Sequence, residues 1–119
     1  MSLKNNMNLD AKQILLNNDK GNYTIPTNGL YPFQWNWDSA FAAYGFAQFD
    51  IPRAWKELET LFSAQWINGM VPHIIYHQVD DGYFPGPNIW KGIGPIPSSG
   101  ITQPPVVASL MKKIWELDT

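Results

Sequence analysis

Apolar side chains recur at helical spacing most clearly between residues 51 and 66. They stand three or four positions apart, while Glu57 and Glu59 occupy positions between them. This spacing predicts an amphipathic helix with Asp50 as its N-cap and its end at Asn68-Gly69. The two glutamates are expected on the solvated face of this helix.

The residues from Asp38 to Phe49 are apolar on nearly every side of a helix. They predict a second helix that begins near Asp38, and a helix of this kind is expected to be enclosed by other parts of the protein. Because few residues link it to the helix that follows, we expect the two helices to form an antiparallel hairpin.

Two shorter helices are predicted near the ends of the chain. The first runs from Leu9 to Leu16 with Asn8 as its N-cap. The last is capped by Thr102 and begun by Pro104-Pro105, and its apolar residues lie on one face. The chain is therefore expected to be mainly α-helical.

Proline and glycine are concentrated in residues 70 to 103. This composition predicts a long loop or short strands rather than a helix. The part from Gln78 to Ser99 also carries Tyr83, Phe84 and Trp90. Two interpretations stay open for it: a lid that closes on a substrate, or a static arm that packs on a neighbouring domain.

Composition narrows the classes of function. The 119 residues allow one domain, and only 15% of them are charged, against about 25% in typical soluble domains. A net charge of −2 without a basic stripe argues against nucleic acid as a partner. There is no cysteine, no run long enough to span a membrane and no signal-peptide core near the start. We expect a cytoplasmic protein that is not bound to a membrane.

Aromatic residues and one carboxylate are crowded between Tyr31 and Phe41. Trp35, Trp37 and Asp38 lie within this stretch. Sugar sites use this mixture, because an aromatic ring stacks on the apolar face of a pyranose and a carboxylate accepts hydrogen bonds from its hydroxyls. The alternative is that Asp38 caps the following helix and both tryptophans belong to a core.

Three segments in order resemble glycoside hydrolase family 63 and its glucosylglycerate and mannosylglycerate hydrolase relatives. The stretch around Trp35 resembles the family's WxWD segment. Residues 69 to 73 are similar to its Gly-x-(Ile/Val)-Pro-His turn, and residues 99 to 105 are similar to the segment that contains Ile-Thr-Gln-Pro-Pro. The resemblance implies an incomplete (α/α)6 barrel of three to four helices and a long loop, with residues 1 to 119 as the N-terminal portion of one catalytic domain and no second domain.

The resemblance also implies the roles of particular residues. Tyr31, Trp35 and Asp38 would line the subsite for the non-reducing sugar of an α-linked glucosyl or mannosyl substrate, and Gln103 would reach the sugar hydroxyls. Trp37 is a further candidate that has a structural alternative. Tyr76 is a second-tier candidate for contacting the far end of the substrate.

No catalytic residue is predicted in this chain. The family inverts the anomeric centre with an acid and a base whose carboxyl groups lie about 6.5–9.5 Å apart, and its Glu-Ser-Gly-x-Asp-Asn-Ser segment has no counterpart here. We therefore expect the chain alone to be inactive. Two other functions stay open: a self-sufficient sugar-binding module, and a structural helical protein whose aromatic residues serve oligomerisation.

Neither a metal nor a cofactor is predicted. His73 and His77 are four residues apart, but Pro72 argues against a helix there and no third ligand is near. His73 is expected to fix a loop by hydrogen bonding. A homo-oligomer is predicted through apolar side chains left exposed, which are expected to be Phe41, Phe46, Trp55, Trp66 and Trp115.

Overall fold

The computed structural model describes residues 2–119 and contains within them five helices and a two-stranded sheet. In chain order these are α1 (Leu3–Asn18), β1 (Gln34–Trp35), α2 (Asn36–Phe46), α3 (Ile51–Phe62), β2 (Ile74–Ile75), α4 (Pro87–Trp90) and α5 (Val107–Leu117). The chain is mainly helical, as its hydrophobic periodicity predicts.

The predicted antiparallel hairpin is formed by α2 and α3. Asp50 is the N-cap of α3, and its side chain accepts a hydrogen bond of 3.0 Å from the Arg53 N–H. The predicted end of α3 is wrong, because the helix stops at Phe62 and not at Asn68-Gly69. The Trp66 N–H instead donates to the Met70 carbonyl, which closes a turn outside the helix.

The core lies where α2 meets α3 and α5. Small side chains on α2 allow the helices to approach closely, and larger aliphatic side chains from α3 and α5 fill the space between them. The buried members include Ala40, Ala43, Ala47, Ala54, Leu58, Leu61, Leu110 and Ile114. Leu15 packs the inner face of α1 against Gly45, where an added methyl group would lie 2.8 Å from Leu15 Cδ1.

The chain leaves one side of α2 open. Phe41 is 54% exposed, so the predicted enclosure of this helix is not achieved by residues 2–119. Trp115 on α5 is 70% exposed, as predicted. Phe46 is buried, contrary to the prediction, because the Arg53 guanidinium lies 4.6 Å from its ring centre and Phe49 packs beside it.

The helices at the two ends differ from the predicted ones in their bounds. The first begins at Leu3 with Ser2 as N-cap, because hydrogen bonding to Ser2 extends it through polar residues that show no apolar pattern. The last begins at Val107. Thr102 does not cap it, since its hydroxyl donates to the Val71 carbonyl at 2.7 Å.

The long segment between α3 and α5 is a loop with one short strand and one short helix. Its strand β2 pairs antiparallel with β1, with Gln34 opposite Ile75 and Trp35 opposite Ile74. This pairing brings the loop against the start of α2. In residues 2–119 no helix is both long enough and apolar enough to cross a bilayer.

Candidate functional site

An aromatic wall stands at the junction of β1 and α2. Trp35 meets Tyr31 edge to face at a ring distance of 5.3 Å and meets Tyr83 in the same manner at 5.5 Å. Trp35 is buried, whereas Tyr31 is 45% exposed and Tyr83 is partly exposed. The wall therefore has a buried centre and two accessible flanks that carry hydroxyl groups.

A second layer of aromatic residues supports this wall. Phe33 packs against Trp35 and against Tyr76, with ring distances of 6.0 and 4.8 Å. The Tyr76 hydroxyl donates to the Pro85 carbonyl at 2.7 Å and accepts from the Trp90 indole N–H at 2.8 Å. Tyr76 is only 5% exposed. Its position in this structure is therefore behind the wall, with its hydroxyl already engaged.

Gln103 reaches the first turn of α2 from the other end of the chain. Its Oε1 accepts a hydrogen bond of 3.0 Å from the backbone N–H of Trp37. No protein group within residues 2–119 accepts from its Nε2. Trp37 is exposed beside it and packs edge to face on Phe41 at 6.2 Å. An amide donor and an exposed indole thus lie together at this helix end.

Asp38 borders an open cavity of about 400 Å³ that no residue of the wall lines. The cavity lies between α2 and α1, and its lining includes Ile25 and Phe41. The N-cap of α2 is Trp35, so Asp38 stands within the first turn and does not cap the helix. Burial raises the pKa of Asp38, and a hydrogen bond with its own backbone N–H counteracts part of that rise. No other side chain within residues 2–119 donates to this carboxylate.

Five of the six predicted sugar contacts lie at three places around the start of α2, and Tyr76 lies behind the wall. Tyr31 and Trp35 form the wall, and Gln103 and Trp37 lie beside the first turn. Asp38 opens on the neighbouring cavity. Tyr83 also joins the wall. Tyr83 stands among the aromatic residues of the loop in the sequence, but no pattern in the sequence indicated that the loop folds back onto Trp35.

A buried carboxylate lies beneath this site, where the sequence predicted a solvated helix face. Glu57 is fully buried, so the prediction was wrong for this residue. Its Oε1 accepts from the Ser39 hydroxyl at 2.6 Å and from the Thr24 N–H at 3.0 Å, and its Oε2 accepts from the Thr24 hydroxyl at 2.8 Å. These donors replace water around the charge, which is the condition for burying it.

Arg53 joins Glu57 to Asp19. Its Nη1 lies 3.0 Å from Glu57 Oε2, an ion pair whose N–H direction is not that of a hydrogen bond. Its Nε and Nη2 donate to Asp19 Oδ1 at 3.1 and 2.8 Å. Burial acts to raise the pKa of Asp19, but hydrogen bonds from Arg53 and Gly21 and the charge of Arg53 outweigh it and lower that pKa.

Burial raises the pKa of Glu57, while the Ser39 hydrogen bond, the Arg53 charge and the Thr24 hydrogen bonds oppose the rise. Every group that faces the carboxylate is a donor or a cation. These contacts favour the ionised form of Glu57 over the protonated form.

The two histidines each hold a different part of the loop. His73 Nδ1 lies 2.5 Å from the Ser99 hydroxyl, which confirms the predicted loop-fixing role. His77 Nε2 lies 2.7 Å from Gln34 Oε1, and its ring stacks on Tyr23 at 4.0 Å. Burial lowers the pKa of both histidines. Among residues 2–119 no three side chains of metal-binding type come together.

Comparison with known proteins identifies relatives that match most of this chain. It is 54% identical over 107 residues to a mannosylglycerate hydrolase of Selaginella moellendorffii, covering 89% of this chain and 22% of the relative. It is 46% identical over 113 residues to a glucosylglycerate hydrolase of Mycolicibacterium hassiacum, covering 89% of this chain and 25% of the relative. The chain thus spans about a quarter of the length of the relatives it matches.

Structural comparison gives the same result. The crystal structure of the GH63 mannosylglycerate hydrolase of Thermus thermophilus in complex with Tris and D-glycerate matches with a TM-score of 0.84 and 47% identity. The match covers 92% of this chain and 26% of that chain. GH63 structures are helical barrels, so the predicted fold class, a mainly helical part of an (α/α)6 barrel, is confirmed.

The resemblance that the three sequence segments indicate is also confirmed at the level of the family. Residues 31–119 match the family of the mannosylglycerate hydrolase MGH1-like glycoside hydrolase domain. The matched range contains the aromatic wall, Gln103 and Glu57. This chain belongs to the MGH1-like glycoside hydrolase family.

Proposed function

We propose that this chain supplies part of the sugar-binding wall of an inverting α-glycoside hydrolase that acts on glucosylglycerate or mannosylglycerate. Family membership supports hydrolysis of a glycoside, and relatives at 54% and 46% identity are named for these two substrates. The observation that carries the proposal is the wall of Tyr31, Trp35 and Tyr83 beside Gln103 at the start of α2.

Each part of this arrangement suits a different part of a sugar. The faces and edges of Tyr31 and Tyr83 offer apolar surface for the C–H groups of a pyranose ring, and their hydroxyls lie at its edge. Gln103 Nε2 donates to a sugar oxygen, because its Oε1 is already held by Trp37. Asp38 accepts from sugar hydroxyls, and in a half-buried position such charged hydrogen bonds are strong. Tyr76 supports the wall from behind in this proposal, because its hydroxyl is already engaged by Pro85 and Trp90.

The chain alone is proposed to be catalytically inactive. Inverting hydrolysis needs one carboxylic acid and one carboxylate about 6.5–9.5 Å apart on opposite sides of the scissile bond. Two of the carboxylates near the site are committed elsewhere, since Glu57 and Asp19 are bound to Arg53. Asp38 is left without a partner of the required kind. On this proposal residues 1 to 119 are the N-terminal portion of a catalytic domain in a cytoplasmic enzyme.

Self-association of the isolated chain is a further part of the proposal. Trp115 and Phe41 are strongly exposed, and Trp37 lies beside Phe41. Covering several hundred Å² of apolar surface at about 25 cal/mol per Å² is worth several kcal/mol. A second copy of the chain would supply such a cover.

A chimeric enzyme tests the proposal. In the Thermus thermophilus mannosylglycerate hydrolase, the segment that matches this chain is replaced by this chain. The chimera is expected to release glycerate from mannosylglycerate or glucosylglycerate, whereas the 119-residue chain by itself releases none. A chimera that folds, as judged by circular dichroism and a cooperative thermal transition, but cleaves neither substrate would refute the proposal. Sugar binding by the isolated chain would favour the self-sufficient module instead.

A further inference from the structure

Glu57 is a buried carboxylate that takes no part in the proposed sugar contacts. It nevertheless binds the segments that carry or border the site. It accepts two hydrogen bonds from Thr24 in the chain before β1 and one from Ser39 in α2. Through Ser39 it reaches Gln34 in β1, whose Nε2 donates to the Ser39 hydroxyl at 2.9 Å.

The directions of the hydrogen bonds in this network follow from Glu57 acting as an acceptor. A carboxylate accepts and does not donate, so the single proton of the Ser39 hydroxyl points to Glu57. Ser39 must then accept from Gln34, which places the NH2 group of Gln34 on the side of Ser39 and of the Glu57 carbonyl at 3.4 Å. The remaining atom, Gln34 Oε1, is an acceptor that faces His77 Nε2 at 2.7 Å. His77 Nε2 therefore carries a proton.

The same geometry connects the network to the aromatic wall. Neighbouring side chains of a strand point to opposite faces. Gln34 enters the buried network on one face of β1, and Trp35 stands in the wall on the other. A rotation or slip of β1 that moved Trp35 away from Tyr31 would withdraw Gln34 from Ser39. The hydrogen bonds therefore oppose that movement.

We propose that Glu57 is a positioning residue of the sugar site, which acts through Ser39 and Gln34 to hold Trp35 against Tyr31 and to set His77 in its Nε2–H tautomer. A buried ion pair is a poor source of stability, because the cost of removing two charges from water offsets their attraction. What such a network does supply is a unique orientation for each partner. The inference rests on the proposed function, which identifies the wall as a sugar site, but the hydrogen-bond network itself can be tested without substrate.

The chain contains two histidines, so each can be followed separately by nitrogen NMR of histidine-labelled protein. His77 is expected as the Nε2–H tautomer in the unsubstituted chain. Ser39→Ala removes the relay, after which the Gln34 amide can turn over, and the ratio of Nε2–H to Nδ1–H in His77 should fall about tenfold, the equivalent of one hydrogen bond. The indole N–H signal of Trp35, assigned with Trp35→Phe, should move in the same variant.

Two variants serve as matched controls. Ser99 is also a fully buried serine, but its hydroxyl contacts His73 and accepts from the Ile74 N–H of β2, and it has no hydrogen bond to Ser39 or Gln34. Ser99→Ala is therefore expected to change the signals of His73 and to leave the tautomer of His77 unchanged. Ser63 is exposed and bonds only within its own turn at Thr60, so Ser63→Ala should move neither histidine nor the Trp35 signal.

Three results would overturn the inference. The first is His77 in the Nδ1–H form in the unsubstituted chain, a measurement that does not depend on any variant folding. The second is an unchanged His77 in folded Ser39→Ala, and the third is a His77 response without movement of the Trp35 signal, which would remove the positioning role. An inactive chimera combined with the expected NMR signals would count against the proposed function and leave the network established.

Discussion

Trp66 is expected to hold the proline-rich loop in place at Gly94 and Ser98, and adding one methyl group at Gly94 should test this contact. The Trp66 indole N–H donates to the Ser98 hydroxyl at 3.0 Å. A methyl group added at Gly94 would lie 2.5 Å from Trp66 Nε1 and 2.8 Å from Cδ1. These distances are well inside van der Waals contact, so Gly94→Ala forces either the indole or the loop to move.

The size of the effect follows from this overlap. Overpacking of a well-packed site costs about 1–3 kcal/mol, and loss of the Trp66–Ser98 hydrogen bond would add to that. Gly82→Ala is the matched control in the same loop, because its methyl group would meet only the flexible Asp80 carboxylate at 3.3 Å. The control should change stability by less than about 0.5 kcal/mol.

Urea unfolding of the 119-residue chain, followed by far-ultraviolet circular dichroism, measures both variants. The cost of Gly94→Ala should also shrink in a Trp66→Leu background, since the clashing atoms are then gone. Equal stability of Gly94→Ala and the unsubstituted chain would refute the reasoning. In that case the segment from Gln78 to Ser99 would be free at its base, as a lid requires, and would not be a static arm.

Three further predictions concern the site, the surface and pH. In the chimera, Asp38→Ala should lower kcat/KM by about 30-fold to 1,000-fold, or about 2–4 kcal/mol, as expected for loss of a charged hydrogen bond to substrate. The control is Asp80→Ala, which lies in an exposed turn. Equal kinetics of the two variants would show that Asp38 is not part of the site. Sedimentation velocity over a wide concentration range should show that the isolated chain self-associates and that Trp115→Lys weakens the association. A monomer at every concentration would contradict the predicted self-association. Burial lowers the pKa of His73 and His77 below the ordinary value of 6.5, so at these two residues the unfolded state binds more protons than the folded state between pH 7.5 and 5.5. Their contribution to the free energy of unfolding should therefore decrease as the pH falls over this range. The double variant His73→Gln/His77→Gln should show a smaller slope, and an identical slope would disprove the assignment.

Local signals in the sequence were sufficient for the helical hairpin and for the family. The apolar spacing of α3 and the Asp50 cap depend on residues within one or two helical turns, and the hydrogen bond from Arg53 to Asp50 agrees with that reading. The three motif segments are likewise contiguous. The matching family covers residues 31–119. The six predicted sugar contacts stay predictions, although the structure does bring Tyr31 to Trp35 and Gln103 to Trp37.

Tertiary structure alone decided the parts that depend on distant partners. Periodicity placed Glu57 on a polar helix face, and it is buried because Thr24 and Ser39, 33 and 18 residues away, supply its donors. Strands of two residues such as β1 are too short to leave an alternating pattern, so their pairing could not be foreseen. Gln103 meets Trp37 across 66 residues of chain. The sequence by itself determined which residues prefer helix and which family the chain resembles. The three-dimensional packing decided which charges are buried and which aromatic rings meet, because burial and ring contacts depend on segments that lie far apart in the chain.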